Sequence, residues 1–188
     1  MIVFDRYLEK IIEPLLFKKR AILIFGPRQA GKTTLAKKLL EKYSKMNLDQ
    51  DSYFNCDEVI VRNYFKIGQP YLLKELVGER NIVVFDEAQT IQNIGKILKV
   101  FIDTYPDVQI IATGSSSFDL ANKINEPLTG RAFEFTLYPL SIEEIRAFKK
   151  VDTKELYEIM RLGSYPAIIG EQDSVSRESL LKNITTNY

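Results

Sequence analysis

The sequence predicts an α/β fold in which a parallel sheet is covered by helices on both faces. The runs at 21–26 (AILIFG), 81–86 (NIVVFD) and 108–114 (VQIIATG) are short and almost wholly apolar, the mark of strands buried on both faces. The segments between them carry apolar residues at helical spacing, and neighbouring parallel strands need such crossover helices.

The elements follow in chain order. At the N-terminus Phe4, Tyr7, Leu8, Ile11, Ile12, Leu15 and Leu16 recur at helical spacing, which predicts an amphipathic helix that Pro14 kinks or breaks. The strand AILIFG comes next, then the turn PRQAG, and then KTTLAKKLLEKY, a helix whose Leu35, Leu39 and Leu40 share one face. MNLD (46–49) reads as a short strand, and the mixed segment 50–80 holds helices around DEVIVRNYF and YLLKELVG. NIVVFD is a strand, NIGKILKVFIDTY an amphipathic helix, and VQIIATG a strand closing on Thr113 and Gly114. A helix after Ser115 runs to about Lys123, and AFEFTLYPL is an edge strand stopped by Pro139. Ser141 with Glu144 three residues later makes a capping box for a further helix. From Lys154 the chain is helical, broken at GSYP, and the last helix lacks a stop signal, as if cut from a longer protein. The expected organisation is a core at 1–140, including the N-terminal helix, and a helical segment at 141–188.

Composition narrows the chemistry. A chain of 188 residues with 45% hydrophobic content can bury one core. The formal net charge of +1 gives no global signal for nucleic acid. Cys56 is the sole cysteine and histidine is absent, which excludes an intramolecular disulfide, a thiolate cluster, His-based triads and HExxH zinc sites. Carboxylates, Lys, Arg, hydroxyls, backbone amides and hard cations remain. The first 20 residues are charged throughout and read as neither a signal peptide nor a membrane span, so a cytoplasmic location is expected.

Gly26-Pro27-Arg28-Gln29-Ala30-Gly31-Lys32-Thr33 fits G-x-x-x-x-G-K-[ST] in the strand–loop–helix context that this phosphate loop needs. Its glycines let backbone N–H groups wrap a phosphate, the helix turns its positive end toward it, and Lys32 adds a point charge. Thr33 would place a hydroxyl on Mg²⁺ and Thr34 another near the α-phosphate. The apolar run 82–85 ends in Asp86 and Glu87, two carboxylates that a buried strand would shed unless a cation pairs with them. With a phosphate loop in the chain, Asp86 suits the magnesium and Glu87 the activation of a water. Thr113 or Ser115, at the end of the third buried strand, would sense the γ-phosphate; Ser116 and Ser117 suit helix capping equally well. Arg131, in a polar loop, suits solvent and γ-phosphate sensing about evenly. ANKIN lacks the Asp of the guanine-binding N-K-x-D, so adenine is the expected base.

These residues resemble a known group, the archaeal and bacterial AAA-type P-loop ATPases whose N-terminal ATPase portion precedes a C-terminal region of unknown function. GPRQAGKTTL, NIVVFDEAQ, IIATGSSS, LTGRAFEFTLYPLSIEEI and, more loosely, GSYP carry the resemblance, in order from residue 20 to about 167. It implies a sheet with the sensor strand inserted between those of the phosphate loop and the Asp-Glu pair, in the order 5-1-4-3-2. It also implies a role for Arg131, in cis or toward a neighbouring subunit. The chain departs from the group's GGYPE at Ser164 and Ala167, which leaves that turn without an assigned role.

The expected activity is Mg²⁺-dependent ATP hydrolysis that drives or times a conformational change in the helices after about residue 141. The alternative is a nucleotide-gated switch that hydrolyses little and acts through a partner; a phosphotransferase would need an Arg-rich lid that the sequence lacks. ATP and Mg²⁺ are the expected ligands and self-association is compatible with the class. No basic-aromatic patch supports a nucleic-acid partner and nothing supports a membrane.

Overall fold

The computed structural model describes residues 2–45, 52–115 and 128–186. Five strands, β1 (Ala21–Gly26), β2 (Tyr53–Asn55), β3 (Ile82–Asp86), β4 (Gln109–Ser115) and β5 (Ala132–Thr136), form one sheet in the order β2-β3-β4-β1-β5. Every pairing is parallel, and this is the predicted order read from the other edge.

The period-2 alternation of each strand builds two cores. Ile22, Ile24, Ile82, Val84 and Ile111 face Leu35, Ala36, Leu39 and Leu40 of α2 (Lys32–Tyr43) together with Ile12 of α1 (Tyr7–Ile12). Leu23, Val83, Phe85, Ile110 and Ala112 point the other way. There they pack with Val61 of α3 (Val59–Arg62), Leu73 and Val77 of α4 (Pro70–Val77), and Ile97, Leu98, Phe101 and Ile102 of α5 (Ile94–Thr104). Each fully buried aliphatic or Phe side chain contributes about 1.5–3 kcal/mol, so the three central strands tie both helical layers to one another.

Pro14 ends the N-terminal helix as predicted, its residue falling in a 3₁₀ turn at Glu13–Leu15. The strand expected at 46–49 lies outside the described residues, as does the helix expected between 116 and 123. The described edge strand is instead β2, inside the stretch read as mixed. Three residues are too short for alternation to show, and it is fixed by its pairing of Tyr53 with Val84 and Asn55 with Asp86.

After β5 come α6 (Ile142–Phe148), α7 (Thr153–Leu162), α8 (Pro166–Gly170) and α9 (Ser174–Thr186). The capping box is formed: Ser141 Oγ accepts the Glu144 N–H at 3.2 Å and Glu144 Oε2 accepts the Ser141 N–H at 2.9 Å. Phe4, ahead of α1, shares a small core with Leu140, Ile145, Ile159 and Ile169, so the N-terminal segment is clamped by the last helices. Among the described residues no helix is long and apolar enough to cross a membrane.

Gly26 closes β1 where a side chain has no room. The Leu137 N–H donates to the Phe25 carbonyl at 2.7 Å, and a Cβ on Gly26 would stand 2.1 Å from the Leu137 carbonyl oxygen, with φ at +150°. Because the obstacle is backbone of the chain just past β5, Gly26→Ala is expected to cost about 3 kcal/mol or more, read as a fall in the urea midpoint. A loss under about 1 kcal/mol would show that β1 and the chain after β5 separate easily.

Candidate functional site

The carboxyl ends of β1, β3 and β4 meet at one edge, where Gly26 is level with Ser115 and β3 ends in Asp86. Between β1 and α2 the chain turns through Pro27–Gly31, with Gln29 at φ 62° and Gly31 at φ 98°. Lys32 opens α2 almost fully buried, and its Nζ donates to the carbonyls of Gly26 and Pro27, each at 3.0 Å. Burial lowers its pKa from the usual lysine range, while the charges of Glu87 and Asp86 oppose that fall.

Asp86 gathers three hydroxyls. Thr33 Oγ1 donates to its Oδ2 at 2.8 Å, the Tyr53 hydroxyl donates to the same oxygen, and Thr113 Oγ1 donates to Oδ1. Burial and the Asp86 carboxylate push the Tyr53 phenol well above its ordinary pKa, so it stays a donor. Cys56 donates its N–H to the Asp86 carbonyl at 2.9 Å; burial pushes its thiol up to about 12, so it is not a reactive nucleophile.

Glu87 follows in the left-handed region, at φ 53° and ψ 41°, which costs a non-glycine residue about 1–2 kcal/mol. Its N–H donates to Thr113 Oγ1 at 3.2 Å and its carboxylate accepts the Gln89 amide. A residue continuing the strand would alternate across the sheet. The left-handed turn instead sets Glu87 on the cleft that the phosphate loop also lines.

That cleft has a volume of about 650 Å³. Arg28, Gln29, Gly31, Lys32, Thr33, Thr34 and Glu87 give it a polar lining. Ile2, Val3, Phe4, Pro166, Ala167 and Gly170 give it an apolar wall. Ala30 is fully buried beneath the loop. Thr113 and Ser115 stand at the end of β4 and do not line the cleft; Thr113 reaches the site through Asp86 and Glu87. The wall from the GSYP turn was missed by sequence reasoning because the turn departs from the related motif. Arg6, which also reaches the loop, gave no signal: in sequence it is one charged residue beside an amphipathic helix.

Arg131 is not brought to this edge, which corrects the expectation of a γ-phosphate contact in cis. Its carbonyl accepts the Ala21 N–H at 2.9 Å, at the amino end of β1, and its Nε contacts Asp103 of α5 at 2.7 Å. The strand between Ala21 and Gly26 separates it from the loop by roughly 16 Å at about 3.3 Å per residue. The loop preceding a parallel edge strand necessarily lies at the opposite edge from the loop that follows β1.

The donor set fits the expected ligands. Thr33 directs its proton to Asp86 and keeps its lone pairs for a hard cation, beside a carboxylate of the kind Mg²⁺ takes. The loop, Lys32 and the positive end of a twelve-residue helix suit phosphates.

The AAA domain profile matches residues 18–146, from before β1 into α6. An uncharacterized protein of Methanocaldococcus jannaschii is 27% identical over 192 residues, covering 94% of this chain and 42% of that protein. One from Haemophilus influenzae is 26% identical, covering 98% of this chain and 48% of its own length. This chain thus spans less than half the length of these two relatives. A signal transduction ATPase with numerous domains and a tetratricopeptide repeat sensor, from Pyrococcus horikoshii, superposes with a TM-score of 0.54 at 15% identity. The likeness covers 97% of this chain and 32% of that one. A DNA polymerase III gamma subunit-related protein of Thermotoga maritima gives 0.53 at 14%, covering 92% and 56%. These likenesses concern the fold, which is that of P-loop ATPases. With the matched span running through the phosphate loop, Asp86, Glu87 and Thr113, the chain belongs to the AAA domain family of P-loop ATPases.

Proposed function

We propose that the chain binds ATP with Mg²⁺ and hydrolyses it. The observation that carries this reading is the contact of Thr33, in the phosphate loop, with Asp86, beside which Glu87 faces the same cleft. Lys32 would exchange its two carbonyl contacts for oxygens of the β- and γ-phosphates. Thr33 and Asp86 would hold Mg²⁺, which when bound draws charge from the phosphate oxygens. Glu87 orients a water and accepts its proton. The water oxygen bonds to the γ-phosphorus while the bond to the β,γ-bridging oxygen breaks, ADP leaving with that electron pair. Thr113 senses the γ-phosphate indirectly, by holding the Glu87 N–H and Asp86 together, with Ser115 at the mouth of the same strand. The adenine base lies against the apolar wall.

In this reading residues 1–140 form the ATPase portion and the helices of 141–188 respond to nucleotide, working in the cytoplasm. Arg131, on the far edge, can act only toward a neighbouring copy. The Gln89 amide on the Glu87 carboxylate favours one alternative, a switch whose base is held out of action until a partner releases it.

Phosphate release from ATP with and without Mg²⁺, measured beside nucleotide affinity, separates them. Mg²⁺-dependent release supports hydrolysis. Tight binding without release supports the switch, and no binding overturns both.

A further inference from the structure

Arg6 is buried to 8% exposure, lies 20 residues ahead of the loop, and is used by none of the chemistry above. Its planar fork reaches three elements. Nε contacts Glu144 Oε1 of α6 at 3.1 Å, one terminal nitrogen donates to the Ala30 carbonyl of the phosphate loop at 2.7 Å, and the other to the Tyr138 carbonyl at 2.6 Å. It also lines the cleft. We propose that Arg6 is a positioning residue for nucleotide phosphates and that Glu144, by holding Arg6, couples phosphate affinity to the helices that follow β5. The proposal rests on the nucleotide-binding reading above.

The peptide unit explains how. A trans peptide is planar, with its C=O and following N–H turned in opposite directions. Fixing the Ala30 carbonyl on Arg6 therefore also fixes the Gly31 N–H, one of the loop amides that the motif devotes to phosphate. The approach is close: a Cβ on Gly31 would lie 3.3 Å from the same Arg6 nitrogen, so a side chain there would press the guanidinium aside by a few tenths of an ångström. Arginine is the side chain for this task, because its donors diverge in a rigid plane and its charge does not titrate.

Glu144 is the other half of the device. Its Oε1 accepts from Arg6 and from the Tyr7 N–H at 2.8 Å, and its Oε2 accepts the Ser141 N–H that completes the cap of α6. One carboxylate thus joins the start of α1, the start of α6 and the cation on the loop, with both side chains of the ion pair 7% exposed. A tilt of α6 that moved Glu144 would shift Arg6, and with it the Ala30–Gly31 peptide.

A plain structural rivet would share these contacts, so the test needs a readout that a rivet would not move. Affinities for MgADP and for adenosine are measured on the parent, Arg6→Lys, Arg6→Ala, Glu144→Gln and the Arg6→Lys/Glu144→Gln double variant, with melting temperatures alongside. Lys keeps the charge and loses the fork; Gln still caps α6 and loses the charge. The expected result is an MgADP affinity about tenfold to a hundredfold weaker in both Arg6 variants, with adenosine unchanged within about twofold. Glu144→Gln weakens MgADP by less, and the double variant is no worse than Arg6→Lys alone. Equal losses for both ligands, or Arg6→Lys within twofold of the parent for MgADP, overturn the proposal while the nucleotide reading stands. A parent that binds no nucleotide overturns both. Should Arg6→Ala fail to fold, Arg6→Lys and Glu144→Gln decide between the same outcomes.

Discussion

Glu87→Gln is expected to lower Mg²⁺-dependent phosphate release by about 10²–10³-fold while the MgATP dissociation constant stays within about threefold. The substitution keeps the size and polarity of the side chain and removes only its capacity to take a proton. The hydrogen bonds that shape this residue belong to its backbone. Its N–H is on Thr113 and its carbonyl accepts from Thr90, so the left-handed turn survives the change. The Gln89 amide finds an oxygen on glutamine as it does on glutamate. A fall in turnover with binding kept therefore reports a lost base. Single-turnover release with ATP in excess of its dissociation constant is the measurement, since it separates chemistry from product release. An unchanged rate would remove Glu87 from the reaction and favour the switch.

Legibility followed the scale of the signal. The central strands were plain because burial on both faces leaves four or more apolar residues in a row, as in Ile82-Val83-Val84-Phe85. The edge strand β2 was not, because Tyr53, Phe54 and Asn55 are half-buried and too few for a period to emerge; only pairing with β3 makes them a strand. The capping box was readable because a helix start is settled within four residues.

Within the site the same division holds. The loop, Asp86 and Glu87 are local in sequence, and their chemistry is carried by residue type and spacing. Tyr53, Arg6 and the wall at Pro166 enter through contacts spanning 33 residues from Tyr53 to Asp86 and 138 from Arg6 to Glu144, which no local pattern encodes. The place of Arg131 was not legible for the complementary reason. Its loop had the right composition, but composition does not say at which end of a parallel strand a loop lies, and the pairing of Ala21 with Ala132 does.

Lys32→Ala is expected to weaken MgATP binding by about 10²-fold or more, with the melting temperature within about 3 °C of the parent. Two opposing terms keep the stability change small. The buried ammonium is costly to desolvate, as its lowered pKa shows, and its removal relieves that cost; the Gly26 and Pro27 carbonyls lose a donor in exchange. The binding term has no such compensation. Lys38, the other lysine lining the cleft, is committed to Asp5 at 2.7 Å and Glu9 at 2.8 Å, two carboxylates that would have to be abandoned before it could replace Lys32. Isothermal titration of MgATP and of adenosine into the variant makes the assignment specific. Lost affinity for the triphosphate with adenosine unaffected places the lysine on the phosphates, whereas parallel losses would mean that the loop itself had collapsed, and an unchanged MgATP affinity would remove Lys32 from the site.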